Sequence, residues 1–404
     1  MRAASSNLLA LVFLCTCSGA LYVWSRLEER LERHRRGPPP PPDSVPELPA
    51  KTFRALLAVP PARSALFNAT GGNRPEARPF PRTLGEITED GVYWSGRLES
   101  FLPPGFGEDH GRAWRRRARS SPVVSLEPGC GRVSNQLATF SDGSRACVRY
   151  GIDPDQVQGE ALSYYLAALL GISNLPPLAL SLVGGAGQQW AAVRRRVEGL
   201  QWSGRAVVSL TEWVANLTAV ATPALLRPES RGLNARQADL ENQTAAGLLR
   251  LVQWSDLILF DYLTANFDRL ASNLFSLQWD AAAMRRDTSN LLQAPGARLV
   301  FLDNEAGLVH GYRVLDAWER YHRATLASVC LFRRATARRV AELHRAGDAR
   351  ARLLELYRRR EPLHAALGFL SDAQARTLQR RIGALHGHIA DCRAKYGRDA
   401  GGGV

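Results

Sequence analysis

Apolar and polar positions divide the chain into four regimes. Residues 8–24, LLALVFLCTCSGALYVW, form an uncharged apolar run at the short end of what spans a bilayer. From 25 to about 85 all period is lost. An RLEERLERHRR stretch leads into Pro38 to Pro42 and then a region rich in Pro, Ala, Arg and Gly, a composition that is extended and supplies no core. Folded patterning begins near GVYWSGRLE (91–99). The runs PVVSLEPGCGR and RACVRYG, joined by a turn at Ser141-Asp142-Gly143, predict a hairpin. PPLALSLV (176–183), QQWAAVRRR (188–196) and AVVSLTEWV (206–214) predict further strands. Between them QVQGEALSYYLAALL predicts a helix, with Asp153 as N-cap, Pro154 at the first helical position and Gly171 closing it.

Beyond 245 the helical period takes over. AAGLLRLVQWSDLILFDYLTA (245–265) carries one long apolar face. Two short strand-like runs follow, NLFSLQW and ARLVFLD, and then helices over about 315–345, 348–360 and 371–395. A β-rich unit with one helix, followed by a helical unit, is an α+β arrangement of two lobes. The expected segments are a cytosolic tail at 1–7, a signal-anchor span at 8–24, a stem at 25–85, a β-rich lobe and hinge at 86–214, a helical lobe at 215–396 and a tail at 397–404.

Charge changes the picture less than its size suggests. The net charge is +14 and the chain has 52 basic residues, of which only Lys51 and Lys395 are lysines. The arginines are interspersed with acids, as in WRRRARS (114–120) and ARRVAELHR (337–345), which reads as solvated helix faces and not as a nucleic-acid stripe. No nucleic-acid partner is expected. Arginine forks do suit phosphate oxygens.

Several features point to the secretory route. The apolar run fits a type II signal anchor holding the chain in a membrane, with a cleaved signal peptide ending near Ser18-Gly19-Ala20 as the rival. Sequons occur at Asn68, Asn216 and Asn242. Cys130, Cys147, Cys330 and Cys392 remain outside the apolar run, and four cysteines in an oxidising compartment allow three pairings. Proximity favours 130–147 and 330–392, with free buried thiols as the alternative. The histidines from His310 to His388 show no metal-ligand spacing with cysteine or acid partners.

Candidate chemistry collects in two polar clusters. FDRLASN places Asp268 and Asn273 at a D-x-x-x-x-N spacing directly after the long helix. FLDNEAG places Asp303 at the end of a strand-like run. Phosphoryl transfer needs little else: a carboxylate to orient a hydroxyl, oxygen ligands for a divalent cation, a cation on the phosphates and a cover over them. EPGCGRVSNQ supplies the glycines for a cover, Gly129 and Gly131. Glu160 lies on the first helix, where the ion-pair glutamate of a kinase belongs. No lysine occurs between 52 and 394, so the cation for the phosphates falls to Arg149 in ACVRYG.

With these residues laid out, the chain resembles the four-jointed family of secretory-pathway kinases. The likeness covers roughly 120–396 and is most specific in ACVRYGIDPDQVQGEALSYYLA, VQWSDLILFDYLTANFDRLASNLFSLQWD and VFLDNEAGLVHGYR. It implies a bilobal atypical protein-kinase-like fold, a Golgi location and possible release by cleavage in the stem. It also implies ATP with Mn2+, or Mg2+, transfer to Ser or Thr, and cadherin repeats of Fat- and Dachsous-type cadherins as partners. Asp268 becomes the catalytic aspartate, Asp303 the metal aspartate with Asn273 as a further ligand, and Arg149 the residue in the nucleotide-binding lysine's place. The alternative is a pseudokinase or secreted binding protein with the same fold.

Overall fold

The computed structural model describes residues 79–397, apart from 132–133, 152 and 185–187. The expected span at 8–24, the stem up to residue 78 and Asn68 lie outside the described residues. No helix among the described residues is long and apolar enough to cross a membrane.

Helix α1 (Glu108–Ser120) precedes a five-stranded antiparallel sheet of β1 (Val123–Pro128), β2 (Gln136–Phe140), β3 (Arg145–Arg149), β4 (Leu178–Leu182) and β5 (Val207–Glu212), in the order β1-β2-β3-β5-β4. The turn at 141–144 is tied by Asp142, whose carboxylate accepts from the Ser144 amide at 3.0 Å. One face of this sheet buries Phe140, Val148, Leu210, Trp114 and Trp190 in a first core. Helix α2 (Pro154–Leu170) lies between β3 and β4, and its ends form as the sequence predicts. Asp153 accepts from the Asp155 amide at 3.0 Å, and Gly171 closes the helix at φ 77°.

The chain leaves β5 through a five-residue hinge, 213–217, into a three-stranded sheet of β6 (Thr218–Ala221), β7 (Asp287–Ala294) and β8 (Arg298–Phe301). Between β6 and β7 run α3 (Ala245–Thr264) and α4 (Leu270–Ser276). Every residue of α3 from Leu251 to Thr264 is buried, so this helix is the axis of the second core, against which α2, α5 (Leu315–Ala327), α6 (Arg334–Ala346), α7 (Ala349–Arg360) and α8 (Asp372–Tyr396) pack.

Four expectations need correction. Residues 188–196 are helical, a 3-10 turn over Gln188–Val193 running into a helix from Arg194. Trp190 and Val193, one 3-10 turn apart, face the β-lobe core without entering the sheet. The run NLFSLQW is largely the end of α4, where Phe275 packs obliquely against Trp318 and edge-on against Tyr321 at ring distances of 5.2 and 5.6 Å. The helix expected over 315–345 is broken into α5 and α6, because 328–333 turns back to pair with the N-terminal segment. Finally, residues 84–99 belong to the helical lobe. Trp94 donates its amide to Phe332 O at 3.0 Å and its indole N–H to Ser255 at 3.1 Å, and Arg333 bonds Glu99 at 2.9 Å.

His322 on α5 is buried, and burial, reinforced by the nearby Arg381 charge, pushes its pKa down to about 3. The folded value lies below the unfolded one, so the unfolded chain binds the proton more readily and stability falls as pH drops from 6.5 toward 3. This side chain is expected to steepen acid destabilisation by up to about 1.4 kcal/mol per pH unit in that window. Urea unfolding of wild type and His322→Met at pH 4.5 and 7.5 checks it: the variant should lose markedly less stability on acidification.

Candidate functional site

A cleft of about 580 Å³ opens between the five-stranded sheet and the β7–β8 pair, with the hinge at one end. Arg149, Glu160, Gly131, Asn290 and Asp303 line it. The turn after β8 carries its main chemistry. Asp303 stands at φ 48°, ψ 58°, a left-handed conformation that aspartate tolerates better than most residues, and Asn304 and Glu305 begin a short 3-10 turn.

Helix α2 approaches this turn closely enough that only glycine fits at 159. A Cβ there would lie 2.6 Å from Glu305 O and 2.9 Å from Gly307 O. Ser163, one turn further, donates to Asn304 O at 3.2 Å. The next residue after the glycine is Glu160, which is thereby held beside Asp303 and Glu305.

Arg149 ends β3, is buried, and spreads its two terminal nitrogens over two acids, one bonding Asp303 and the other Glu305. Burial alone would lower its pKa, but the charges of Glu160, Asp303 and Glu305 more than offset this and raise it. Its partners differ from the lysine–glutamate pairing that the motif suggests, since a planar fork reaches two carboxylates where an ammonium meets one. Glu160 keeps one carboxylate oxygen, Oε2, without any hydrogen-bond partner. Burial, together with the negative charges of Asp303 and Glu305 and against the pull of Arg149, pushes its pKa up to about 7.

One guanidinium thus faces three carboxylates, a cluster short of positive charge in a partly buried place. An all-oxygen donor set with an orphaned carboxylate oxygen suits a hard divalent cation such as Mg2+ or Mn2+. Glu160 and Asp303 are the residues placed to hold it.

Asp268 approaches the cleft from the loop after α3. Its backbone amide donates to the Asn266 side chain at 3.0 Å, and its Oδ2 accepts from Asn290 Nδ2 at 2.9 Å. Asn290, on β7 at φ 57°, lines the cleft and therefore joins Asp268 to it. Arg269 is fully buried behind this pair. It grips both oxygens of Asp261, at 3.0 Å from Nε and 2.6 Å from a terminal nitrogen, and donates to Leu302 O at 2.8 Å and the Asn304 side chain at 2.9 Å. One arginine therefore binds the Asp268 loop to the Asp303 turn.

Asn273 sits on α4, half-buried, with its Nδ2 lacking a partner, and is not among the cleft-lining residues. Gly131 turns at φ 84° and a Cβ there would lie 3.9 Å from Asp303 Oδ2, whereas Gly129 packs toward Leu137. Both favoured cysteine pairs form, Cys130–Cys147 at the cleft and Cys330–Cys392 between the helices. Asn216 stands exposed on the hinge at the cleft rim, and Asn242 is exposed just before α3. Asp261, Arg269 and Asn290 were given no role from the sequence, and Glu305 appeared there only as the last member of the Asp-Asn-Glu trio. Arg269 left a trace as a charge beside Asp268 in a loop entered from an apolar helix.

Residues 109–395 match the family model of the four-jointed box protein middle domain. Four-jointed box protein 1 of Xiphophorus maculatus is 58% identical over 98% of this chain and 99% of its own length. The extracellular serine/threonine protein kinase four-jointed of Drosophila melanogaster is 37% identical over 76% of this chain and 61% of its own. Among solved structures, the Golgi casein kinase with Mn/ADP bound overlaps 71% of this chain and 77% of its own at 13% identity, with a TM-score of 0.47. That overlap is too loose to bear on the site. The sequence matches are not: the chain belongs to the four-jointed box protein family.

Proposed function

We propose that the chain is a serine/threonine protein kinase of the secretory pathway. It transfers the γ-phosphoryl group of ATP to cadherin repeats of Fat- and Dachsous-type cadherins, and in doing so tunes their binding in planar cell polarity and growth. The observation that carries the reading is the convergence at one cleft of Arg149, Glu160, Asp303 and, through Asn290, Asp268. The family's Drosophila member is named as an extracellular serine/threonine kinase, and the apolar run, the sequons and the two disulfides favour an extracytoplasmic protein.

In this reading the nucleotide base enters at the hinge and its phosphates lie under the Cys130–Gly131 turn. Arg149 supplies the cation for the phosphates that stay behind. Asp268 orients the acceptor hydroxyl and takes its proton as the oxygen bonds to phosphorus and the bond to the ADP oxygen breaks. A divalent cation bound at Glu160 and Asp303 would neutralise charge on the phosphate oxygens.

One observation favours a second reading, a pseudokinase that signals by its fold. Arg149 already occupies Asp303 and Glu305 with strong ion pairs, and these compete with a metal. Full-length protein incubated with radiolabelled ATP, Mn2+ and a cadherin-repeat fragment separates the two. Label on the fragment, lost on removal of the metal and in Asp303→Asn, is the expected result. Absence of label while ATP still raises the melting temperature would select the pseudokinase.

A further inference from the structure

A second cavity, of about 540 Å³, lies on the other side of the β6–β7 pair from the cleft. Leu292 lines the cleft and its neighbour Gln293 lines this cavity, as successive residues of a strand face opposite ways. Three features here share one sign of charge. Arg227 and Arg250 line the cavity half-buried. Arg227 donates through Nε to Thr222 O at 3.0 Å, and Arg250 reaches Gln293 Oε1 at 3.4 Å. Neither forms an ion pair with a carboxylate among the described residues.

The first turn of α3 forms another part of the wall, with Gly247 lining the cavity. Thr244 caps this 20-residue helix by accepting from the Gly247 amide at 3.0 Å, and the helix dipole makes that end positive. Trp254, further along the same helix, also lines the cavity. Its ring is fully buried, yet its indole N–H has no acceptor. A buried donor without an acceptor costs free energy and is uncommon in native proteins.

We propose that this cavity binds a phosphate-type oxyanion, either free or carried as an ester on a larger ligand. Two guanidinium groups without a close ion pair and a positive helix end present donors and positive charge with no acid among the lining residues. Hydrophobic ligands fit poorly beside two arginines. Binding here needs no transfer chemistry in the cleft, so it can hold even if the kinase reading fails.

Isothermal titration of full-length protein tests it, with inorganic phosphate, sulfate and a phosphoserine peptide as probes and ionic strength matched with chloride. Phosphate or sulfate should bind, and Arg227→Gln with Arg250→Gln should weaken that binding at least tenfold. Each single variant, Arg227→Gln or Arg250→Gln, should weaken it several-fold. The same losses must hold with the cleft filled by ADP. A phosphoserine peptide that binds more tightly than free phosphate, with the same arginine dependence, would assign the ester-borne source; weaker peptide binding would assign the free anion. Wild-type protein that binds none of the probes, or arginine variants that bind them as well as wild type, would overturn the proposal. Circular dichroism of the variants separates lost binding from lost fold.

Discussion

Arg269→Ala is expected to be among the most destabilising single changes in the described fold. Its side chain is fully buried, and its removal leaves Asp261 buried without a counter-ion. Breaking one partner out of a buried ion pair costs about 3–5 kcal/mol, because the remaining charge is neither solvated nor matched. The loss does not stop at Asp261, since the bonds to Leu302 O and Asn304 also vanish. Chemical denaturation should therefore show a lower midpoint in the variant, or no cooperative unfolding at all. A double variant, Arg269→Ala with Asp261→Ala, removes the stranded charge and should recover part of the stability. If the single and double variants are equally unstable, the cost lies in the Leu302 and Asn304 contacts and not in the ion pair.

Asp268→Asn should have the largest effect on turnover while leaving the fold nearly intact. The amide is close in shape to the carboxylate but cannot take a proton from the acceptor hydroxyl. General-base assistance contributes about 10²–10⁴-fold, so kcat should fall by that factor. Nucleotide affinity should hold, because Arg149, Glu160 and Asp303 are untouched. Single-turnover transfer alongside an ATP titration by thermal shift reads the two quantities separately. A variant that keeps most of its kcat would remove Asp268 from the role of base. Asn290→Ala should give a smaller drop, since Asp268 keeps its carboxylate and loses one hydrogen bond of 2.9 Å.

The site residues differ in how much of their role is legible along the chain. Asp268 and Asp303 were legible because each stands in a short polar cluster at the end of an apolar element, where spacing alone suggests chemistry. Helix α2 was legible at both ends, through Asp153, Pro154 and Gly171. The cysteine pairs followed from proximity along the chain. Asn290 was not legible: it is an isolated amide on a strand with no spacing to anything. Its relation to Asp268 exists only because β7 runs past the loop after α3. The role of Arg269 was hidden for a similar reason, since its partners lie 8, 33 and 35 positions away. The misread stretches, 188–196 and NLFSLQW, carry apolar runs too short to separate strand from helix, and aromatic packing decides them. The placement of residues 84–99 on the helical lobe reverses the chain order on which lobe assignment rests.

The Cys130–Cys147 disulfide gives the cleft a mechanical property. A glycine turn over a nucleotide ordinarily behaves as a flap, lifting on its own two strands. Here the tip of the turn is stitched to the middle of β3, two residues before Arg149, so flap and floor are one closed ring of covalent bonds. The turn cannot lift away from the sheet at Cys130 while that bond holds, so its position over the cleft is tied to that of Arg149.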